Sequence, residues 1–137
     1  MRIAVIDGQG GGIGKHITEK LRKNLPETAE IIVLGTNAMA TTAMLKAGAN
    51  EGATGENAIV FMAKKVDIIV GSICILAVNS MLGELTPKMA EAIANSKARK
   101  ILLPINRNGI EIVGAMNEPL PHQIDKLVAT VKKIWRE

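Results

Sequence analysis

Arg2-Ile3-Ala4-Val5-Ile6-Asp7-Gly8-Gln9-Gly10-Gly11-Gly12-Ile13-Gly14-Lys15 joins an apolar run to an acid and a glycine-rich turn. Ile13, Ile17 and Leu21 then recur every four residues, the stripe of an amphipathic helix. Glycines let backbone N–H groups approach a phosphate without side-chain interference. A helix start adds unpaired donors and a positive dipole end. Strand, glycine turn and helix in this order predict an α/β fold with an anionic, nucleotide-like ligand at residues 8–14.

Working outward, apolar runs alternate with helical patterns, as in a parallel α/β sheet. Strands are expected at about residues 2–7, 30–34, 67–73 and 100–104, with a very short edge strand at 49–53. Helices are expected at about 12–24 (ending before Pro26), 37–47, 54–65 with Thr54 as its cap, 86–95 and 121–136. Asn108-Gly109 has the chemistry of a type I′ turn, so Ile110 to Val113 should return as an antiparallel edge strand. The expected architecture is a three-layer, Rossmann-like, mostly parallel sheet ending in that antiparallel edge hairpin, in a single domain over residues 1–137. Ligands of such sheets sit beyond the carboxyl ends of the strands, where strand order reverses. Loops 8–14, 35–37, 54–57, 71–84 and 104–108 should therefore ring one crevice.

Composition narrows the function classes. The chain has 137 residues, 47% of them hydrophobic, and no apolar run approaching the ~18 residues of a membrane span. The start does not read as a signal peptide, so a cytoplasmic protein with no membrane partner is expected. Its one cysteine, Cys74, lies in an apolar stretch and reads as a small buried hydrophobe. The net charge of +4 comes from basic clusters at helix ends, such as Arg22-Lys23 and Lys132-Lys133, where cations complement the dipole. Only Phe61 and Trp135 are aromatic, which leaves no stacking platform, and no nucleic-acid partner is expected. His16 and His122 share no ligand spacing, so no metal site is expected.

The spacing of the turn sorts it among phosphate loops. A dinucleotide fingerprint counted from Gly8 meets Ile13 where its sixth-position glycine should stand. A P-loop counted back from Gly14-Lys15 meets Gln9 in place of its first glycine and His16 in place of its magnesium-binding hydroxyl. Gly8, Gly12, Ile13 and Gly14 fit Gly-x-x-x-Gly-Ile-Gly, which resembles the cofactor loop of short-chain dehydrogenases, down to Lys15. That resemblance covers about residues 3–20 and implies a dinucleotide, NAD or NADP. Those enzymes use a tyrosine four residues before a lysine, and this chain has no tyrosine. Over its whole length the chain resembles a short uncharacterised bacterial family marked by the same Gly-Gln-Gly-Gly-Gly-Ile-Gly turn. The stretches from Met44 to Asn57 and Gly71 to Ile75 share the likeness. This resemblance implies a Rossmann-like fold and no particular reaction.

Cofactor-binding candidates are Gly8, Gln9, Gly10, Gly11, Gly12, Ile13, Gly14, Thr36, Asn37 and Ser72. Thr36 and Asn37 stand where the dinucleotide pattern has a ribose-binding acid, although Asn37 equally suits a helix cap. Asp7 suits either a structural bond to the turn or a water or metal beside the phosphate. Lys15 reads as a phosphate contact or a solvated lysine. Glu56 and Asn57 are either helix-start residues or ligand contacts. Asn79, Ser80 and Glu84 follow the central strand, on the substrate side, and Pro104, Asn106 and Arg107 complete the rim. Met39, Met44, Met62, Met81, Met89 and Met116 read as core or interface residues. A homodimer is expected from the general prevalence of twofold assemblies. The leading function is nucleotide binding of NAD(P) type, in a small oxidoreductase or a non-catalytic sensing or assembly module. A deviant triphosphatase using Lys15 is the third reading, and no catalytic residue is assigned.

Overall fold

Five apolar runs become the strands β1 (Arg2–Asp7), β2 (Glu30–Gly35), β3 (Glu51–Thr54), β4 (Ile68–Ser72) and β5 (Arg99–Leu103). Between and after them run α1 (Gly12–Asn24), α2 (Ala38–Lys46), α3 (Glu56–Met62), α4 (Pro87–Asn95) and α5 (Leu120–Trp135). This computed structural model describes residues 1–115 and 117–136, so the expectation for Met116 lies outside the described residues. All strand pairs are parallel, in the order β3-β2-β1-β4-β5. The sheet grows one way from β1 through β2 and the other way through β4. That switch opens a crevice beyond the carboxyl ends of β1 and β4.

The sheet is covered on both faces, which explains why its strands read as continuous apolar runs. On one face Ile3, Val5, Ile31, Val33 and Val70 pack with Ile17 and Leu21 of α1, Met44 of α2, and Ile124, Leu127 and Val131 of α5. On the other, Ala4, Ile6, Ile32, Leu34 and Ile69 pack with Ile59 of α3 and Met89 and Ile93 of α4. Ile17 and Leu21 are fully buried, each worth about 1.5–3 kcal/mol. Among the described residues, no helix is long and apolar enough to cross a membrane.

Local chemistry sets the helix ends. Leu25 is extended at φ −107°, ψ 155°, as a residue before proline must be, and α1 stops there. Asn37 caps α2 by accepting the Ala40 N–H at 2.9 Å, and Thr86 caps α4 by accepting the Met89 N–H at 3.2 Å.

Three expectations are corrected. The antiparallel edge strand is absent: residues 110–113 form no strand, and β5 is the sheet edge on that side. Asn108 and Gly109 do take the left-handed conformations of a type I′ turn, at φ 56° and 73°. β5 nevertheless ends at Leu103, before Pro104, so no strand leads into the turn, and Val113 is fully exposed with nothing to bury. Thr54 does not cap α3. It lies in β3 and donates to Thr41 Oγ1 at 2.7 Å, while Gly55 is the cap, and α3 ends at Met62. β4 ends at Ser72, because Ile73–Leu76 wind into a 3-10 turn. Of the methionines read as core or interface residues, Met44 and Met89 are buried in the core, and Met39 is 71% exposed on α2.

Candidate functional site

The glycine turn leaves β1 at Asp7 and enters α1 at Gly12. Asp7 is buried, and its carboxylate spans the turn: Oδ1 accepts the Gly8 N–H at 2.8 Å and Oδ2 the Gly14 N–H at 2.7 Å. It thereby serves as a helix cap supplied from the preceding strand. Burial pushes its carboxyl above the usual range, against the two amides and the charge of Arg107, which lower it.

The glycines of the turn divide by what surrounds them. A Cβ on Gly14 would lie 2.8 Å from Asp7 Cβ and overlap Met44 Sδ, so Gly14 permits α1 to sit against β1. A Cβ on Gly8 would overlap Thr36 Oγ1 and stand 2.6 Å from Met81 Sδ. Gly11 is left-handed at φ 73°, and a Cβ there would lie 2.8 Å from Ala40 Cα. These three are demanded by packing and backbone. Gly10 and Gly12 are different. Neither has a left-handed φ, and a Cβ on either would meet nothing within 4 Å. Gly12 also begins a helix, where glycine costs up to about 1 kcal/mol relative to alanine.

The amides divide in the same way. Those of Gly8 and Gly14 are held by Asp7, that of Gln9 by Glu84 Oε1 at 2.8 Å, and that of Gly11 by the Gly8 carbonyl at 2.9 Å. No partner among the described residues takes the N–H of Gly10, Gly12 or Ile13, the last two being first-turn donors. Gln9 itself is left-handed at φ 50°, an uncommon conformation for a side chain of this kind.

A cleft of about 230 Å³ lies beside the turn, lined by Asp7, Gln9, Ile13, Ser72, Cys74 and Arg107 among others. It sits at the switch between β1 and β4. A second cavity, of about 330 Å³, shares Ile13 and Arg107 with it and extends past Pro104 to Gln123 of α5. Ser72 ends β4 and its Oγ accepts the Cys74 N–H at 3.0 Å, tightening the 3-10 turn. Cys74 is buried, and its Sγ accepts from Asn108 Nδ2 at 3.6 Å. Arg107 is exposed at the rim, lines the cleft with Asp7, and its charge lowers the Asp7 carboxyl.

Other candidates are placed elsewhere. Lys15 is exposed and lines a separate depression with Met39 and Lys46 of α2. Ser80 is buried and donates to the Cys74 carbonyl at 2.6 Å. Glu56 accepts from Thr86 Oγ1 at 2.5 Å, tying α3 to α4.

Sequence reasoning placed Glu84 on the substrate side and missed its partners. Its Oε1 accepts from Thr36 Oγ1 and Asn37 Nδ2, both at 2.7 Å, as well as from Gln9 N. These donors, with the Thr36 hydroxyl first, hold its carboxyl below the usual range. A missing acid after β2, with an acid in the loop after β4, was the one signal available. The carboxyl ends of β2 and β4 flank that of β1, which makes such a substitution geometrically open.

Among solved structures, the fold is similar to a dodecameric FMN-dependent UbiX-like decarboxylase from Escherichia coli O157:H7. The identity is 12%, the TM-score is 0.47, and the match covers 100% of this chain and 95% of the other. That distance says nothing of this chain's ligand or reaction. No curated protein matches the chain significantly. A family described as a domain of unknown function, DUF3842, matches residues 2–136, and the chain belongs to that family.

Proposed function

We propose that this chain binds a nucleotide-type small molecule, NAD or NADP in first place, with a phosphate over the free amides of Gly10, Gly12 and Ile13. The observation that carries the reading is the pair of glycines at 10 and 12. Neither packing nor φ requires glycine there, and both leave open space at a helix start beside the switch-point cleft. Gly8, Gln9, Gly11 and Gly14 belong to the site as its frame, since their own amides are engaged within the protein. Arg107 offers the positive charge that a phosphate beside Asp7 needs. In this reading Thr36 and Asn37, which lie outside the cleft lining and hold Glu84 Oε1, mark the adenosine side, and Ser72, in the lining, meets the other half of the ligand.

Lys15 lies away from the cleft, which disfavours the triphosphatase reading. The group would supply redox chemistry if it is a nicotinamide, and the residues named here hold and orient it. A homodimer fits the exposed Met39 and Leu45 on α2, and a monomeric mass by sedimentation equilibrium would dismiss it.

The test is native mass spectrometry of the purified protein for retained nucleotide, with a thermal-shift panel of NAD, NADP, FMN and AMP. At least one should stabilise the wild type and leave Gly12→Val unmoved. A Cβ at this position meets no atom within 4 Å, so the variant should fold. Absence of any shift at millimolar ligand, or equal binding by the variant, would end the proposal.

A further inference from the structure

In the dinucleotide pattern an acid at the end of the second strand accepts hydrogen bonds from the adenosine ribose. β2 ends instead in Gly35-Thr36-Asn37, with no acid. The structure brings one there from another strand's loop. Glu84 lies 48 residues beyond Thr36 in sequence, yet its carboxylate meets Thr36, Asn37 and the Gln9 amide together. All three donors converge on Oε1. No described residue donates to Oε2, and no buried side-chain oxygen is left without a partner, so Oε2 is open to solvent.

We infer that Glu84 is the ribose-reading residue of this chain: Oε1 is clamped by the protein, and Oε2 accepts from the hydroxyls of an unphosphorylated ribose. The inference rests on the nucleotide reading above and adds a specificity to it. A 2′-phosphate would place a second anion against Glu84, with the Thr36 and Asn37 donors already committed to Oε1. The site therefore takes NAD or an adenosine mononucleotide over NADP. Asn37 positions the carboxylate while also capping α2 and donating to the Gln9 carbonyl at 2.9 Å, so one side chain fixes the acid, the turn and the helix.

Glu84→Gln tests this with little disturbance, because the amide oxygen can keep the Oε1 bonds while the atom at Oε2 becomes a donor. Calorimetric titration should show NAD affinity falling about 10- to 100-fold, as expected for a lost hydrogen bond to a charged group. NADP affinity should hold or improve, so that the preference between the two collapses. A second measurement needs no variant: wild type should bind AMP about tenfold or more tightly than 2′,3′-dideoxy-AMP. Unchanged NAD binding by Glu84→Gln, or equal binding of AMP and its dideoxy analogue, would overturn the assignment. Tighter NAD binding by the variant would overturn it too, and would make Glu84 a plug that the ligand must displace. A wild type that binds none of these nucleotides refutes the nucleotide reading itself, a result visible before any substitution is made.

Discussion

Gly14→Ala and Gly12→Ala add the same methyl group two residues apart in one helix, and they should move stability in opposite directions. At Gly14 the new Cβ would stand 2.8 Å from Asp7 Cβ and overlap Met44 Sδ, against an ordinary carbon contact of about 3.5–4.0 Å. α1 and β1 must separate to relieve this, and overpacking of this kind costs about 1–3 kcal/mol. The movement also stretches the 2.7 Å bond from Gly14 N–H to Asp7 Oδ2, a contact to a charged group worth about 1.5–3 kcal/mol. Better helix propensity returns up to about 1 kcal/mol. The net loss is about 1.5–6 kcal/mol, or a melting point lowered by roughly 5–18 °C for a domain of this size. Gly12→Ala meets no neighbour and gains only propensity, so its melting point should hold or rise by about 3 °C at most. Urea denaturation of both variants beside wild type, without ligand, reads the difference. Equal stability of the two variants would refute the division of the turn into packing glycines and open ones.

Three further substitutions probe the charges and the cap. Burial raises the folded-state pKa of Asp7 above 3.8, so its ionised form costs stability that returns as pH falls through the raised value. Wild type should thus gain on Asp7→Asn as pH drops from 7 toward 4, and parallel urea profiles would contradict this. Glu84 runs the other way: its lowered pKa contributes stability above 4.5 that is lost as pH falls through the folded value, a loss that Glu84→Gln should lack in the same assay. Asn37→Ala removes the α2 cap and should cost about 1 kcal/mol from that bond alone, seen as a lower urea midpoint. A midpoint unchanged from wild type would show that another group has taken over the Ala40 amide.

Much of the fold was legible because its signals are local. Strand β1, the turn and the stripe of α1 are continuous in sequence, and Asn37 and the Thr86-Pro87 pair sit where the helices they start begin. The misread hairpin shows the limit of such signals. Asn108-Gly109 adopts the turn its chemistry favours, but a hairpin also needs two strands to join, and Pro104 follows the last residue of β5. The candidate site was half legible. The glycine spacing marked the turn, but which amides remain free depends on Asp7 and Glu84, whose partners lie up to 75 residues away in sequence. No periodicity encodes a contact made only when loops from β1, β2 and β4 converge. Lys15 illustrates the same point: adjacent to the last glycine in sequence, it faces α2 in space.

The central claim is that a phosphate-bearing ligand meets the amides the protein leaves unpaired. Titrating unlabelled NAD, or AMP, into ¹⁵N-labelled protein and following the amide resonances tests it residue by residue. The largest shifts are expected at Gly10, Gly12 and Ile13, with smaller ones at Gly8 and Gly14, whose N–H groups stay on Asp7. Saturable shifts centred elsewhere, or a spectrum unchanged at millimolar ligand, would contradict it.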